Sequence, residues 1–319
     1  MKNIFSKHIF CILLLLFFAV LPLMPFPYAT LLMFRILPFS LFSLSYNLLF
    51  GYTGLISLGH AAFWGIGAYT VGLLQVHGIT NNFWLIMLTV LLASVAIGCV
   101  FGSLSLRTKG LFFVLIHLAF AEILRALSRQ LRIITRGEDG LSGFSTPFHL
   151  DGLHLYYFIF LIFVICFLIL YWLVNSRFGY LLKGIRENES RMQALGYNIW
   201  AIKFTCFIIS GIFAAIAGAL FSFWNLVVSP ESFSLWITGQ AILMVLIGGT
   251  TYFTGPMVGA IIIVILSQVV STYTMHWPSI AGVTMIIVVM FARRGIVGVG
   301  EELWRRGMQV YGNNVSTKG

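Results

Sequence analysis

Long apolar runs separated by short polar segments are the main pattern of this chain of 319 residues. A helix needs about 20 mostly apolar residues to cross a hydrocarbon core about 30 Å thick. The runs that meet or approach this length are His8 to Met24, Tyr28 to Phe50, Leu55 to Val76, Phe83 to Leu106, Leu111 to Leu127, Leu155 to Val174, Ala201 to Trp224, Trp236 to Tyr252, Pro256 to Thr274 and Trp277 to Ala292. We therefore predict an all-α, polytopic transmembrane helical bundle with about 8–10 spans, the lower counts applying if some runs are re-entrant or pair as half-helices.

The polar segments between these runs are too short to form a soluble domain. The longest are a predicted external loop at 128–154, a predicted cytoplasmic loop at 175–203 and a predicted cytoplasmic tail at 293–319, and none could hold a catalytic core of its own. The first run, 8–24, is not followed by the small-residue cleavage site of a signal peptide but by prolines, so we predict a retained first span. Residues 1–319 are therefore predicted to form a single transmembrane domain.

Composition indicates that lipid is the main solvent, and the positions of the basic residues indicate which ends of the runs are cytoplasmic. Hydrophobic residues make up 60% of the chain and charged residues 9%, which excludes an ordinary water-soluble enzyme. The net charge of +10 comes mostly from basic residues between runs, as the positive-inside rule produces without a nucleic-acid partner. Both termini are predicted to be cytoplasmic. The four cysteines lie in apolar runs without a CxxC pair, which favours neither disulfides nor a metal site.

One basic group departs from this distribution. Arg125, Arg129, Arg132 and Arg136 fall at the predicted outer end of the fifth run and in the following loop. Their spacing of four, three and four predicts a single helix face. That face is either a stripe facing solvent or lipid headgroups, or a docking face for an acidic external partner such as a binding protein.

Glycine is concentrated in two segments of the predicted bundle. The stretch NLLFGYTGLISLGHAAFWGIGAYT begins at Asn47, and its glycine density indicates either close helix packing or an interrupted helix facing a cavity. Gly51 to Gly54 suggests a break, and interrupted helices often carry transporter substrate sites. The second segment, IGGTTYFTGPMVGA, would run in the opposite direction, consistent with an inverted repeat. The candidate translocation pathway consists of Gly54, Ser57, Gly59, His60, His117, Gly249, Gly255 and Pro256.

Other residues inside the runs suggest packing or function. Ionisable residues within spans are functional candidates by default, and those in this chain include Arg35, His60, His117 and Glu122. Each histidine either makes a satisfied internal hydrogen bond or lines a pore, and Glu122 is predicted to pair with Arg125 on the same helix. A ladder of small residues predicts a close helix–helix contact; it consists of Ser210, Ala214, Gly218 and Ser222.

The predicted cytoplasmic loop contains a short helical pattern of alternating charge, which Gly196 is predicted to end. It is either an exposed loop helix or a helix that inserts into a cytoplasmic partner. The residues concerned are Arg186, Glu187, Glu189, Arg191, Ala194 and Gly196. The chain carries no GxxxxGK[ST] loop, HExxH or GxSxG motif, so we predict no enzymatic activity and no bound cofactor.

Several motifs in order resemble the branched-chain amino acid permease family of bacterial ABC importers, specifically the longer of its two permease subunits. They are GYTGLISLGHAAFWGIGAYT from Gly51, LRTKGLFFVLIHLAFAEI from Leu106, RGEDGLSG from Arg136, SRFGYLLKGIRENES continuing to Gly196, AGAL from Ala217 and GGTTYFTGPMVGA from Gly248. The match covers nearly the whole chain. Two departures are His117, where relatives tend to carry a small hydroxyl residue, and a less alanine-rich ENES segment with Met192.

The resemblance implies a translocation subunit in a bacterial plasma (inner) membrane, for branched-chain or related amino acids. Its implied partners are a sister permease subunit, two cytoplasmic ATPase subunits that bind ATP and Mg, and an external solute-binding protein, with no nucleic acid. The segment Arg186 to Gly196 corresponds to the loop through which such permeases contact their ATPases. Two alternatives stay open: a urea or short-amide ABC permease, and a stand-alone ion-coupled secondary transporter, against which the shortage of deep carboxylates argues.

Overall fold

A computed structural model describes residues 2–23, 27–108 and 110–273, and isolated positions between 279 and 298. Its helices are α1 (Lys2–Val20), α2 (Pro27–Thr53), α3 (Ala61–Val76), α4 (Phe83–Ser105), α5 (Leu111–Gln130), α6 (Arg132–Thr135), α7 (Gly152–Asn175), α8 (Arg177–Glu187), α9 (Glu189–Ala194), α10 (Ile199–Asn225), α11 (Leu235–Gly248) and α12 (Gly255–Tyr273). Within this part of the chain, 6 helices are long and apolar enough to cross a membrane. The prediction of a polytopic helical bundle is confirmed. The predicted tenth run and the predicted tail lie largely outside the described residues.

Two predicted spans are shorter helices than the apolar pattern indicates. The third run was expected to be helical from Leu55, but α3 begins at Ala61 and has 16 residues. At about 1.5 Å per residue this is about 24 Å, less than the hydrocarbon core. The eighth run gives α11, with 14 residues. Apolar composition extends beyond both helices into non-helical segments, where Leu55, Leu58 and Phe253 are half-buried.

The long helices alternate in direction between two ends of the bundle. We name these the Arg186 end and the Arg132 end. At the Arg186 end, the guanidinium of Arg186 donates a hydrogen bond to the carbonyl of Gly51, near the end of α2. At the Arg132 end, the ring Nε2 of His77 lies 2.8 Å from the carbonyl of Ile134. The segment 175–203 and the connection between α4 and α5 line one cavity and therefore share the Arg186 end, as the sequence predicted.

Helix α10 lies at the centre and packs against α2, α3 and α4. A Cβ on Gly218 would overlap the carbonyl of Trp64, and one on Gly67 would overlap the carbonyl of Ala215. The two backbones can approach this closely because both positions lack a side chain. The predicted close contact along the small-residue ladder is therefore confirmed, with α3 as the partner helix.

The loop at the Arg132 end has structure that the apolar pattern did not predict. Two short strands, β1 (Leu141–Ser142) and β2 (Val227–Val228), pair antiparallel, with Leu141 opposite Val228. Both side chains are buried, and Leu141 packs against Gly72 of α3. This ladder is the only β-structure among the described residues, and it holds the long loop onto α3.

Candidate functional site

The segment with alternating charge forms two helices, α8 and α9, where a single short helix was predicted. Asn188 interrupts it because its backbone is extended (φ −161°, ψ 101°), and its side chain caps α9 by accepting a hydrogen bond from the backbone N–H of Arg191 at 2.9 Å. Gly196 ends the segment with a φ of +86°, as predicted. We call residues 177–196 the α8–α9 segment.

Much of the α8–α9 segment is exposed, including Glu187, Arg191 and Ala194. Leu195 is 67% exposed and Tyr197, just beyond the segment, is 44% exposed. Large apolar side chains beside charged ones at an exposed surface are a common feature of protein interfaces. The arrangement therefore fits a contact with another protein.

The opposite side of the segment is fixed to the bundle. Within the segment, the buried Met192 packs α9 onto α8: its sulfur would lie 2.8 Å from a Cβ placed on Gly184. Lys203, in α10, forms an ion pair with Glu189. Together with the bond from Arg186 to the Gly51 carbonyl, these contacts link the exposed surface directly to α2 and α10.

The Arg186 end contains a cavity of about 880 Å³. One wall is the non-helical segment Gly54–Ile56, another is the connection between α4 and α5, and a third includes Glu189 and Gln193 of the α8–α9 segment. A movement of α8 and α9 would therefore change the shape of this cavity.

The predicted break in the first glycine-rich segment is confirmed at Gly54, whose φ is +76°. From here the chain passes into the bundle without helical structure until α3 begins at Ala61. We call residues 54–60 the interrupted segment. The backbone N–H of Ala61, at the start of α3, donates to the hydroxyl of Thr238 at 2.9 Å. This bond matters because backbone donors inside a membrane must be satisfied within the protein.

Four of the candidate pathway residues, Ser57, Gly59, His60 and His117, are buried in the bundle beyond the cavity. A Cβ on Gly59 would overlap the carbonyl of His117, so the interrupted segment touches α5 directly. His60 Nε2 lies 3.0 Å from the hydroxyl of Ser45, and His117 Nδ1 lies 3.0 Å from the carbonyl of Phe113. His60 Nδ1, His117 Nε2 and the Ser57 hydroxyl are buried without a hydrogen-bond partner among the described residues.

Apart from Gly54, the remaining three candidates, Gly249, Gly255 and Pro256, lie at the tight connection between α11 and α12. Gly249 has a φ of +105°, and a Cβ on Gly255 would overlap the Gly249 carbonyl. The carbonyl of Pro256 accepts a hydrogen bond from the Ser43 hydroxyl of α2 at 3.1 Å. Here the glycines allow close backbone packing, whereas Gly54 lines the large cavity.

The four arginines do not lie on one helix face, contrary to the prediction. Helix α5 ends at Gln130 and α6 begins at Arg132, while Arg136 has a left-handed backbone with a φ of +59°. The spacing continues past the point where the helix stops, which sequence periodicity does not detect.

Two of these arginines are already paired within the chain. Glu231 lies 2.5 Å from Arg125 and 3.1 Å from Arg129. Arg125 also lies 3.6 Å from Glu122, as predicted, and Arg129 lies 2.9 Å from Glu138. Arg132 and Arg136 are exposed and form no ion pair within the described chain. They are the two members of the group to which the docking prediction still applies.

Residues 28–292 match the family described as the branched-chain amino acid transport system / permease component. The chain belongs to this family. The chain is 28% identical to the high-affinity branched-chain amino acid transport system permease protein LivM of Salmonella typhimurium, over 80% of the chain and 66% of the relative. It is 27% identical to the probable permease protein LivM of Methanocaldococcus jannaschii, over 80% and 89% respectively.

A probable branched-chain amino acid transport permease protein LivH of Methanocaldococcus jannaschii is also similar, at 27% identity over 40% of the chain and 42% of the relative. The chain spans slightly less than two thirds of the Salmonella relative. No solved structure matches the chain significantly.

The sequence did not indicate two residues that the structure shows to be important. Thr238 binds the start of α3, and Glu231 pairs with two of the four arginines. Thr238 lies within an apolar run, and Glu231 lies in a short turn after α10; each meets a partner more than 100 residues away. Neither position carries a local pattern that would identify its partner.

Proposed function

We propose that the chain is the transmembrane permease subunit of an ATP-driven importer and forms part of the translocation pathway for branched-chain or related amino acids. The observation that carries this proposal is the α8–α9 segment. It exposes a mixed apolar and charged surface at one end of the bundle, and through Arg186 it contacts the end of α2, next to the break at Gly54. A partner that moves α8 would therefore move the interrupted segment.

In this proposal the partner is a pair of cytoplasmic ATPase subunits, which bind ATP and Mg. The chain itself carries no phosphate loop and needs no cofactor. Closure of the ATPase pair would push the α8–α9 segment and shift the bundle between two states that open to opposite sides. The Arg186 end and both termini are then cytoplasmic, in a bacterial plasma (inner) membrane surrounded by lipid.

The pathway would pass from the interrupted segment towards the buried cluster of His60, His117 and Ser57. Buried polar atoms without a protein partner are usually satisfied by water or by a ligand. The large cavity beside Gly54 is then the opening of the pathway on the side of the ATPases.

Two further partners complete the proposed importer. A sister permease subunit would form the other half of the pathway, which the similarity to a permease named LivH supports. An external solute-binding protein would dock at the Arg132 end. The exposed Arg132 and Arg136 would contact an acidic surface of that protein, as charge complementarity guides docking.

Reconstitution tests the proposal. We expect the chain to co-purify with an ATPase and a second permease encoded beside it, and the reconstituted complex to take up leucine only with ATP and the binding protein. Uptake of urea but not leucine would favour the amide permease. Uptake by the chain alone under an ion gradient would support a secondary transporter and contradict the proposal.

Glu187→Lys tests the assigned role of the α8–α9 segment. Glu187 is exposed, so the charge reversal should leave folding intact while weakening ATPase coupling several-fold. Asp151→Lys, an equal charge change at an exposed position of the Arg132 end, is the matched control. Normal ATP-dependent uptake by Glu187→Lys would contradict the assignment.

A further inference from the structure

A second cavity, of about 310 Å³, lies among α2, α10, α11 and α12 towards the Arg132 end. Its apolar side includes Phe39, Met244 and Ile263, and its polar side consists of Arg35, Gln240, Ser267, Gln268 and Ser271. Small-molecule sites usually combine apolar walls with convergent polar groups, and this cavity has both. Its volume lies at the lower end of the range for such sites.

Arg35 carries a positive charge inside the bundle. It is the ninth residue of α2, so it lies about 12 Å along the helix axis from Pro27. Its guanidinium donates to Gln268 Oε1 at 3.0 Å and lies 5.7 Å from the ring centre of Trp224. Both partners are neutral, and no carboxylate of the described residues forms an ion pair with Arg35. A charge at this depth is costly and usually has a functional reason.

The geometry of a guanidinium suits one class of ligand. Its planar group carries five N–H donors and binds a carboxylate through two parallel hydrogen bonds. Arg35 donates to Gln268 through Nη1, and the other N–H groups of the guanidinium are further donors for a ligand. Gln240, Ser267 and Ser271 offer oxygen acceptors for an ammonium group, and Phe39 and Met244 offer apolar contact to an aliphatic side chain.

We propose that this cavity binds an α-amino acid, with Arg35 holding its carboxylate. The assignment rests on the proposed transport of amino acids. It places a substrate site at the end of the bundle opposite the α8–α9 segment, separate from the interrupted segment and its histidines. Gln268 acts as a positioning residue because its amide oxygen fixes the guanidinium within the cavity.

Equilibrium binding of radiolabelled leucine to the purified permease–ATPase complex, without the binding protein, tests the site directly. 4-Methylpentanoate retains the carboxylate and should compete with leucine, whereas leucinamide lacks the carboxylate and should compete at least tenfold more weakly. Equal competition by both compounds would overturn the assignment.

Two variants and one control localise the binding. Arg35→Gln should weaken leucine binding at least tenfold. Gln268→Glu should have a similar effect because its carboxylate would pair with Arg35 in the ligand's place, and this ion pair should not reduce the thermal stability of the complex. Arg107→Gln removes an exposed arginine at the Arg186 end of the bundle and should bind leucine as the wild type does. Unchanged binding in Gln268→Glu would overturn the site even if Arg35→Gln failed to fold.

ATP-dependent uptake by the full importer separates the two proposals. If the wild type takes up leucine and Arg35→Gln binds and transports it equally well, the transport function stands and the Arg35 site is wrong. If the wild-type importer transports no amino acid, the proposed function fails, and the ligand assigned to this cavity fails with it.

Discussion

The N-terminal cap of α9 is expected to control how often the α8–α9 segment opens. Helix α9 has six residues, and isolated helices this short are unstable in water. The Asn188 side chain accepts from the Arg191 N–H at 2.9 Å. Asn198 caps the 27-residue α10 in the same way, accepting from the Ala201 N–H at 3.1 Å. The two asparagines therefore form a matched pair on helices of very different length.

Replacing an N-cap asparagine with alanine costs about 1 kcal/mol. In Asn188→Ala this cost falls on a helix that opens as one short unit, so the population of its open form should rise about fivefold. In Asn198→Ala the same cost frays one turn of a long helix that is packed against α2, α3 and α4. The rest of α10 should then remain as protected as in the wild type.

Hydrogen exchange on the permease in lipid nanodiscs measures this difference. Amides of Arg191 to Ala194 should exchange about fivefold faster in Asn188→Ala, and at the wild-type rate in Asn198→Ala. Asn188→Ala should also lower the transport obtained per ATP hydrolysed in the full importer. Wild-type exchange across α9 in Asn188→Ala would refute the reasoning, because it would show that the cap does not limit opening.

Further predictions concern the α3–α10 contact and the Arg132 end. In Gly218→Ala the new Cβ would overlap the Trp64 carbonyl, which should cost about 1–3 kcal/mol of unfolding free energy. In Gly239→Ala the new Cβ meets no atom of the described residues within 4 Å, so this helical position should gain roughly 0.5–1 kcal/mol; equal effects in equilibrium unfolding would contradict the packing argument. Arg132→Glu should weaken binding-protein association several-fold at low salt and less at high salt. Arg177→Glu, at the other end, should leave that association unchanged, and equal association of both variants at low salt would remove Arg132 from the docking surface.

Local patterns account for the parts of the fold and site that were predicted correctly. Apolar runs of span length located the long helices, and the break at Gly54 followed from glycine spacing. Errors occurred where helical periodicity continues past the end of a helix. The spacing of the four arginines fits one helix, but Leu131 separates α5 from α6, and Asn188 divides the charged segment in the same way.

The sequence by itself determined that this is a multi-pass helical membrane protein of the permease family, because span length, glycine spacing and ordered motifs are local properties. Tertiary structure decided which charges are free. Glu231 neutralises arginines more than 100 positions away, while Arg35 meets the neutral Gln268 across 233 positions. Such pairings depend on which helices pack together. Whether a charged side chain is paired therefore depends on neighbours that are distant in the sequence and that local patterns do not identify.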